Sequence, residues 1–341
     1  MKIAVVGCGA VGSYYGARLA CAGQEVHFLL RTDYEIVRRQ GLRVRSFEGD
    51  FHARPFCARL PEEIGPSDLV LIGLKTTAND QLCRLLPPLV GPETAVLTLQ
   101  NGLGNEEQLA RLVPLEHILG GLCFVCLNRL VPGLIHHIAH GQIVLGEFQR
   151  RPERRTHELA SLFGNAAVPC SVTDNLARTH WEKLTWNIPF NGLGVAGAAG
   201  WDAATGGELP ANGPLGPCLA TEQLLANPKW KKLLRELMIE VIEAARALGF
   251  EVSETLADKH IERTGAMGAY KASTLLDFER GLPLELDSLF LEPLRQARKA
   301  KVAVPRLTAL CRLLEAMEER RRARGRRRAK VTIGDAIHSE G

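Results

Sequence analysis

Three groups of residues in this 341-residue chain have types and spacings suited to chemistry. The first is Gly7-Cys8-Gly9-Ala10-Val11-Gly12, set between the apolar run MKIAVV and an amphipathic stretch from Val11 to Ala22. Glycine at 7 permits a tight turn, at 9 lets the backbone approach a pyrophosphate, and at 12 lets a helix pack closely on a strand. The helix that follows would turn unpaired amides and the positive end of its dipole toward the phosphates. A lone GxGxxG is a weak signal, but this one has the strand-before, helix-after context that binding a dinucleotide requires. The second group is Leu30-Arg31-Thr32, which closes the next apolar run, EVHFLL. An acid there would hold the ribose 2′-hydroxyl of NAD, whereas an arginine suits a 2′-phosphate. Arg31 therefore favours NADP over NAD, the alternative being an ordinary surface arginine. The third group is Lys183, Asn187 and Asn191, whose four-residue spacing puts them on one face of a helix. One cation and two amides within an otherwise apolar helix suit a small anion bearing a carbonyl; the alternative is a solvated face.

The elements that must position these groups alternate. Strand-like runs at 1–7, 25–30, LVLIGLK (69–75) and AVLTLQN (95–101) alternate with helical stretches at Val11–Ala22, Ala78–Leu86 and Glu106–Leu112. This pattern predicts an α/β fold with a doubly wound parallel sheet, a Rossmann domain. Ligands of such sheets bind at the carboxyl ends of the strands, where Arg31, Lys75 and Asn101 fall. Ile118–Phe148 reads as two or three strands with turns at Pro132-Gly133 and Gly141, and Glu153–Phe163 as a helix. From Asp174 helices dominate as far as Arg324, with Pro189 placed to kink the first of them. The expected organisation is a Rossmann domain over 1–172, an all-helical domain over 173–324 and a basic, flexible tail over 325–341. The Gly-, Pro- and Ala-rich stretch 197–220 reads as a long loop or irregular insertion.

The bulk composition is that of a globular protein, with 46% hydrophobic and 23% charged residues. No apolar run reaches the roughly 18 residues that span a bilayer, and the first is too short for a signal peptide. Nine cysteines without regular spacing suit reduced thiols, and the expected location is the cytoplasm. Cys123 and Cys126 read as buried structural cysteines in a strand rather than as a metal knuckle, and no metal is expected. The net charge of +4 is local, because eight basic residues lie between Arg320 and Lys330. A basic end can bind nucleic acid or anionic lipid, but no aromatic residue is interleaved for base stacking, so neither nucleic acid nor membrane is an expected partner.

Taken together, these residues resemble the ketopantoate reductase family (2-dehydropantoate 2-reductase). The likeness covers about residues 1–315. It rests on the glycine motif at 7–12, Lys75, Gln100-Asn101-Gly102, and Pro132-Gly133 followed by His136-His137. It continues in Trp181-Glu182-Lys183-Leu184 with Asn187 and Asn191, then Ser273 with Asp277, then Glu285-Leu286-Asp287. The resemblance implies reduction of 2-dehydropantoate to pantoate by NADPH, a step toward pantothenate. It implies that Lys183 is the proton donor, with Glu285 at the coenzyme and near the substrate hydroxyl. Asn187, Asn191 and Ser273 would hold the substrate, and Asn101 would touch both coenzyme and substrate. Cys126 aligns with a small residue beside the coenzyme. A lysine, with an ordinary pKa of about 10.4, is protonated at neutral pH and can polarise a carbonyl and then give up its proton. The sequence departs from the family pattern around Trp201–Leu219 and in Gly121–Arg129, which bears on substrate identity more than on chemistry. The competing readings are an NADPH-dependent reductase of another small 2-oxo acid and a non-catalytic NADP-binding sensor. A sensor would have no need of a proton donor. The reading leaves a homodimer open.

Overall fold

In a computed structural model, the described residues are 1–338 for the backbone and 1–323 for the side chains. They divide into two compact units, the first Met1–His180 and the second beginning at Trp181. The tail expected at 325–341 lies outside the residues whose side chains are described.

The first unit carries strands β1 (Lys2–Val6), β2 (Glu25–Leu29), β3 (Leu42–Ser46), β4 (Phe51–Ala53) and β5 (Phe56–Ala58). After them come β6 (Ser67–Ile72), β7 (Val90–Thr98), β8 (Ile118–Val131), β9 (Leu134–Glu147) and β10 (Cys170–Val172). Its helices are α1 (Ala10–Cys21), α2 (Tyr34–Gln40), α3 (Leu82–Leu85), α4 (Asn105–Leu109) and α5 (Arg154–Asn165). The strands form one ten-stranded sheet in the order β4-β3-β9-β8-β7-β6-β1-β2-β5, with β10 beside β9. Alternate residues of the central strands feed two cores. Ile3, Val5, Leu69 and Leu71 belong to one, and Ala4, Val6, Val70 and Ile72 to the other. A strand buried on both faces must be apolar throughout, which is why β1 reads as an unbroken hydrophobic run.

The sheet is parallel from β5 through β2, β1, β6 and β7 to β8. Beyond β8 the doubly wound sheet becomes mixed, because β8 and β9 pair antiparallel and β3 and β4 do so too. Only the short Pro132-Gly133 turn separates β8 from β9, and a parallel crossover needs a dozen residues or more. Gly141 is not a turn. It is an extra residue in β9 with φ +138°, skipped where Val125 pairs with His140 and Phe124 with Gln142. A bulge of this kind bends a strand without ending it.

The remainder of the chain is helical: α6 (Leu176–Ala196), α7 (Trp201–Gly206), α8 (Thr221–Ala226), α9 (Pro228–Ala247) and α10 (Thr255–Gly265). Next come α11 (Ser273–Glu279), α12 (Glu292–Lys299) entered through a wide turn at Asp287–Leu291, and α13 (Pro305–His338). Helix α13 therefore runs past the expected end at Arg324. Its start is fixed by Glu240, a buried carboxylate that accepts the amides of Arg306 and Leu307 at 3.0 and 2.9 Å. Negative charge is stabilising at a helix N-terminus. The stretch 197–220 is more than a loop. It opens with α7, whose Trp201 packs edge-on against Trp230 of α9 at 5.2 Å. A Cβ on Gly207 would stand 2.8 Å from the Ala309 backbone, so this stretch meets α13 closely.

Candidate functional site

A candidate coenzyme site is built from the turn between β1 and α1. Gly7 has φ +93°, and a Cβ there would come within 2.2 Å of the Leu74 amide nitrogen. At Gly12 a Cβ would meet the Gly7 carbonyl oxygen at 2.3 Å. These two glycines are demanded by the fold itself. Gly9 differs, since a Cβ there would meet nothing within 4 Å. Among the described residues nothing crowds position 9, so the small residue keeps space open there. The first hydrogen bond of α1 is Ser13 N–H to Gly9 O at 3.1 Å. The amides before Ser13 thus have no partner within the helix. With no acidic residue in the first turn, that end of α1 is suited to an anion. The arrangement fits a dinucleotide. Gly73, which spacing alone did not single out, belongs to the same device, because a Cβ there would lie 2.8 Å from Gly12. Of the other expected loop residues, Ala10 and Val11 open α1, and Cys8 is half-buried. Burial pushes the Cys8 thiol well above its ordinary pKa, with Cys57 and the Asp33 charge adding in the same direction.

Arg31 lies just past β2 and is exposed, Lys75 lies past β6 and is exposed, and Asn101 lies past β7 and is half-buried. Buried Gln100 ties two of these loops together. Its Nε2 donates to Leu74 O at 3.0 Å and to Asn79 Oδ1 at 2.6 Å. Asn79 in turn donates to Asn105 Oδ1 and Gln108 Oε1, and the Asn105 side chain donates to Asn101 O at 3.1 Å. The loops bearing Lys75 and Asn101 are therefore cross-linked by amides, and the adjacent Gln100 in Gln100-Asn101-Gly102 has a positioning task. Glu106 Oε1 lies 3.0 Å from His180 Nε2 in a buried pair, with Gly120 leaving room for it against β8. Cys126 is buried within β8, opposite Ala139, where the β8–β9 register shifts. Cys123 is buried in the same strand, and none of the nine cysteines forms a disulfide. Among the described residues, no cluster of three or more His, Cys, Asp or Glu could hold a metal ion, and no helix is long and apolar enough to cross a membrane.

A candidate substrate site lies on α6, which is continuous through Pro189. Lys183 is half-buried, while Asn187 and Asn191 are 7% and 2% exposed among buried Leu184, Ile188, Phe190 and Leu193. The two asparagines are used differently. Asn191 Oδ1 accepts the Thr274 amide at 3.0 Å and the Ser273 hydroxyl at 3.4 Å, and its Nδ2 donates to Asn187 O at 3.0 Å. Asn191 thus anchors the first turn of α11, where exposed Ser273 stands. The side-chain amide of Asn187 makes no hydrogen bond to the protein among the described residues. It is not among the buried side-chain atoms left without a partner, so its N and O are reached by solvent and are open to a ligand. Asp277 is buried in α11, and Glu285 is half-buried between α11 and the wide turn before α12.

The contrast yields an expectation. Asn187→Ala should raise KM for the substrate and leave thermal stability nearly unchanged. Asn191→Ala should raise KM and also lower stability by about 1–3 kcal/mol, because the Thr274 amide loses its acceptor. Thermal melts alongside initial-rate kinetics separate the two, and equal stability losses would show that Asn187 is structural as well.

A glycine turn between a parallel buried strand and a helix, at the carboxyl edge of a wound sheet, defines the dinucleotide-binding α/β class of protein. The likeness to known proteins is more specific. Residues 3–150 match the model described as ketopantoate reductase PanE/ApbA. Residues 215–318 match the model of its C-terminal part. A 2-dehydropantoate 2-reductase of Nostoc sp. is 36% identical over 331 residues, covering 94% of this chain and 96% of that protein. The crystal structure of 2-dehydropantoate 2-reductase from Geobacter metallireducens is 45% identical with TM-score 0.85, covering 93% of this chain and 99% of that one. That of the Methylococcus capsulatus 2-dehydropantoate 2-reductase is 31% identical with TM-score 0.81, covering 94% and 98%. The chain belongs to the ketopantoate reductase PanE/ApbA family.

Proposed function

We propose that this protein reduces 2-dehydropantoate to pantoate with NADPH. The observation that carries the reading is the face of α6, where the cation Lys183 is followed one turn later by the partnerless amide of Asn187. One turn further, Asn191 holds the turn that presents Ser273. Asn187, Asn191 and Ser273 offer hydrogen bonds to a carboxylate, which is already present in the ground state and so sets substrate affinity. Lys183 polarises the 2-oxo group and delivers a proton to its oxygen. Glu285 orients the substrate, and Asn101 serves both substrate and coenzyme. Gly7–Gly12, Lys75 and Cys126 line the coenzyme, which supplies the hydride. Loss of NADPH absorbance with a panel of 2-oxo acids tests the reading. The highest kcat/KM is expected for 2-dehydropantoate, and a clear preference for a different 2-oxo acid would overturn the substrate assignment.

Choice of NADPH rests on Arg31, an exposed cation just past β2 whose guanidinium makes no ion pair among the described residues. A charge-assisted bond to a 2′-phosphate contributes about 1.5–3 kcal/mol, or roughly ten- to a hundredfold in affinity. Arg31→Ala should weaken NADPH binding by that factor and NADH binding hardly at all, as read by fluorescence titration. Equal losses for the two coenzymes would refute the assignment.

A further inference from the structure

An acid does stand near the end of β2 after all. Asp33, two residues beyond Arg31, is 5% exposed in the turn that leads into α2. Its Oδ1 accepts from Arg129 Nη2 at 2.6 Å and from Thr32 Oγ1 at 3.0 Å, and its Oδ2 lies 3.4 Å from the Gly133 amide. Arg129 comes from the far end of β8 and Gly133 from the hairpin turn after it. The carboxylate is therefore held by the hairpin and not by its sequence neighbour Arg31. It also lies within electrostatic reach of the coenzyme loop, since the Asp33 charge is among the influences that raise the Cys8 thiol.

The placement matters for coenzyme choice. A carboxylate with no cation beside it at this edge of the sheet would repel a 2′-phosphate and offer two acceptors to a ribose diol, the arrangement that selects NAD. Two residues from Arg31, it would also be an anion within reach for Arg31 to pair with. Closing Asp33 in an ion pair with Arg129 removes both effects, because an approaching phosphate then meets a neutral pair and an Arg31 still available to it. We infer that Arg129 selects for the phosphorylated coenzyme without touching it, as a positioning residue that neutralises Asp33 and leaves Arg31 to bind the 2′-phosphate. This rests on the reading that NADPH is the coenzyme.

The test measures dissociation constants of NADPH and NADH, by fluorescence on the full chain, for wild type, Arg129→Met, Asp33→Asn and the double variant. Arg129→Met should cut the preference for NADPH over NADH by roughly tenfold or more, while NADH affinity moves by less than about threefold. Asp33→Asn should keep or raise the preference, and adding it to Arg129→Met should restore the preference to within about threefold of wild type. A purely structural role for the pair would lower both affinities together. Equal losses in a folded Arg129→Met, or a double variant no better than the single, would overturn the inference. Should Arg129→Met fail to fold, Asp33→Asn decides, because a lost NADPH preference in that variant would mean the carboxylate itself is needed. Arg31→Ala separates the two levels. If the wild type shows no preference for NADPH, the NADPH reading fails. If Arg31→Ala leaves a preference intact, Arg31 is not the phosphate ligand and the inference falls with it; if Arg31→Ala abolishes the preference while Arg129→Met does not, only the role of Arg129 fails.

Discussion

Replacing Lys183 by alanine is expected to lower kcat by roughly 100- to 10,000-fold while coenzyme affinity stays nearly unchanged. On the proposed reading the 2-oxo oxygen takes its proton from Lys183, the cation of the three-residue row on α6. A donor acts in the transition state, so its loss appears in kcat. On the same proposed reading Asn187 binds a charge that is present throughout, so its loss should appear in KM. General unfolding would damage both parameters in every variant, and the split between Lys183→Ala and Asn187→Ala is therefore the diagnostic result. Near-normal turnover by Lys183→Ala on its best 2-oxo acid would show that another group protonates the oxygen.

The second large effect is expected at the glycine turn, where two substitutions should fail for different reasons. Gly9→Val places its side chain in open space, and φ −74° with ψ −156° is backbone that valine readily adopts. The fold should survive, with at most about 1 kcal/mol lost from a poorer helix cap. Coenzyme affinity should fall by roughly a hundredfold or more, since excluding the pyrophosphate forfeits several charge-assisted backbone bonds. Gly7→Ala meets the opposite fate. A positive φ and a Cβ 2.2 Å from a backbone nitrogen force the β1 and β6 ends apart. This should cost roughly 2–5 kcal/mol of stability even without coenzyme. Thermal melts with and without coenzyme distinguish the two. A folded Gly9→Val that binds coenzyme normally would place the dinucleotide elsewhere.

Some expectations needed adjustment, and each adjustment traces to particular residues. Strand β3 (LRVRS) and the short β4 and β5 are brief enough to pass for loop, and only their pairing with β9, β3 and β2 makes them strands. Gly141 carries the composition of a turn, yet the ladder continues on both sides of it and makes it a bulge. The stretch 197–220 is rich in turn formers, but Trp201 supplies the aromatic anchor that docks α7 against α9.

The sequence by itself determined the parts of this protein that are encoded over a few neighbouring residues. A strand, three glycines at fixed offsets and a helix specify the coenzyme turn. Four-residue spacing puts Lys183, Asn187 and Asn191 on one face, because a helix returns to the same side every 3.6 residues. Tertiary structure alone decided which polar groups are already committed. Asn191 is engaged by Thr274, 83 residues away, whereas its neighbour Asn187 is not. Asp33 is closed by Arg129, 96 residues away, rather than by nearby Arg31. The sheet turns antiparallel at β8 because a two-residue turn folds one strand back on the other. Hydrogen-bond partners are chosen by competition among all groups that the fold brings within about 3 Å, and no local pattern records the outcome of that competition.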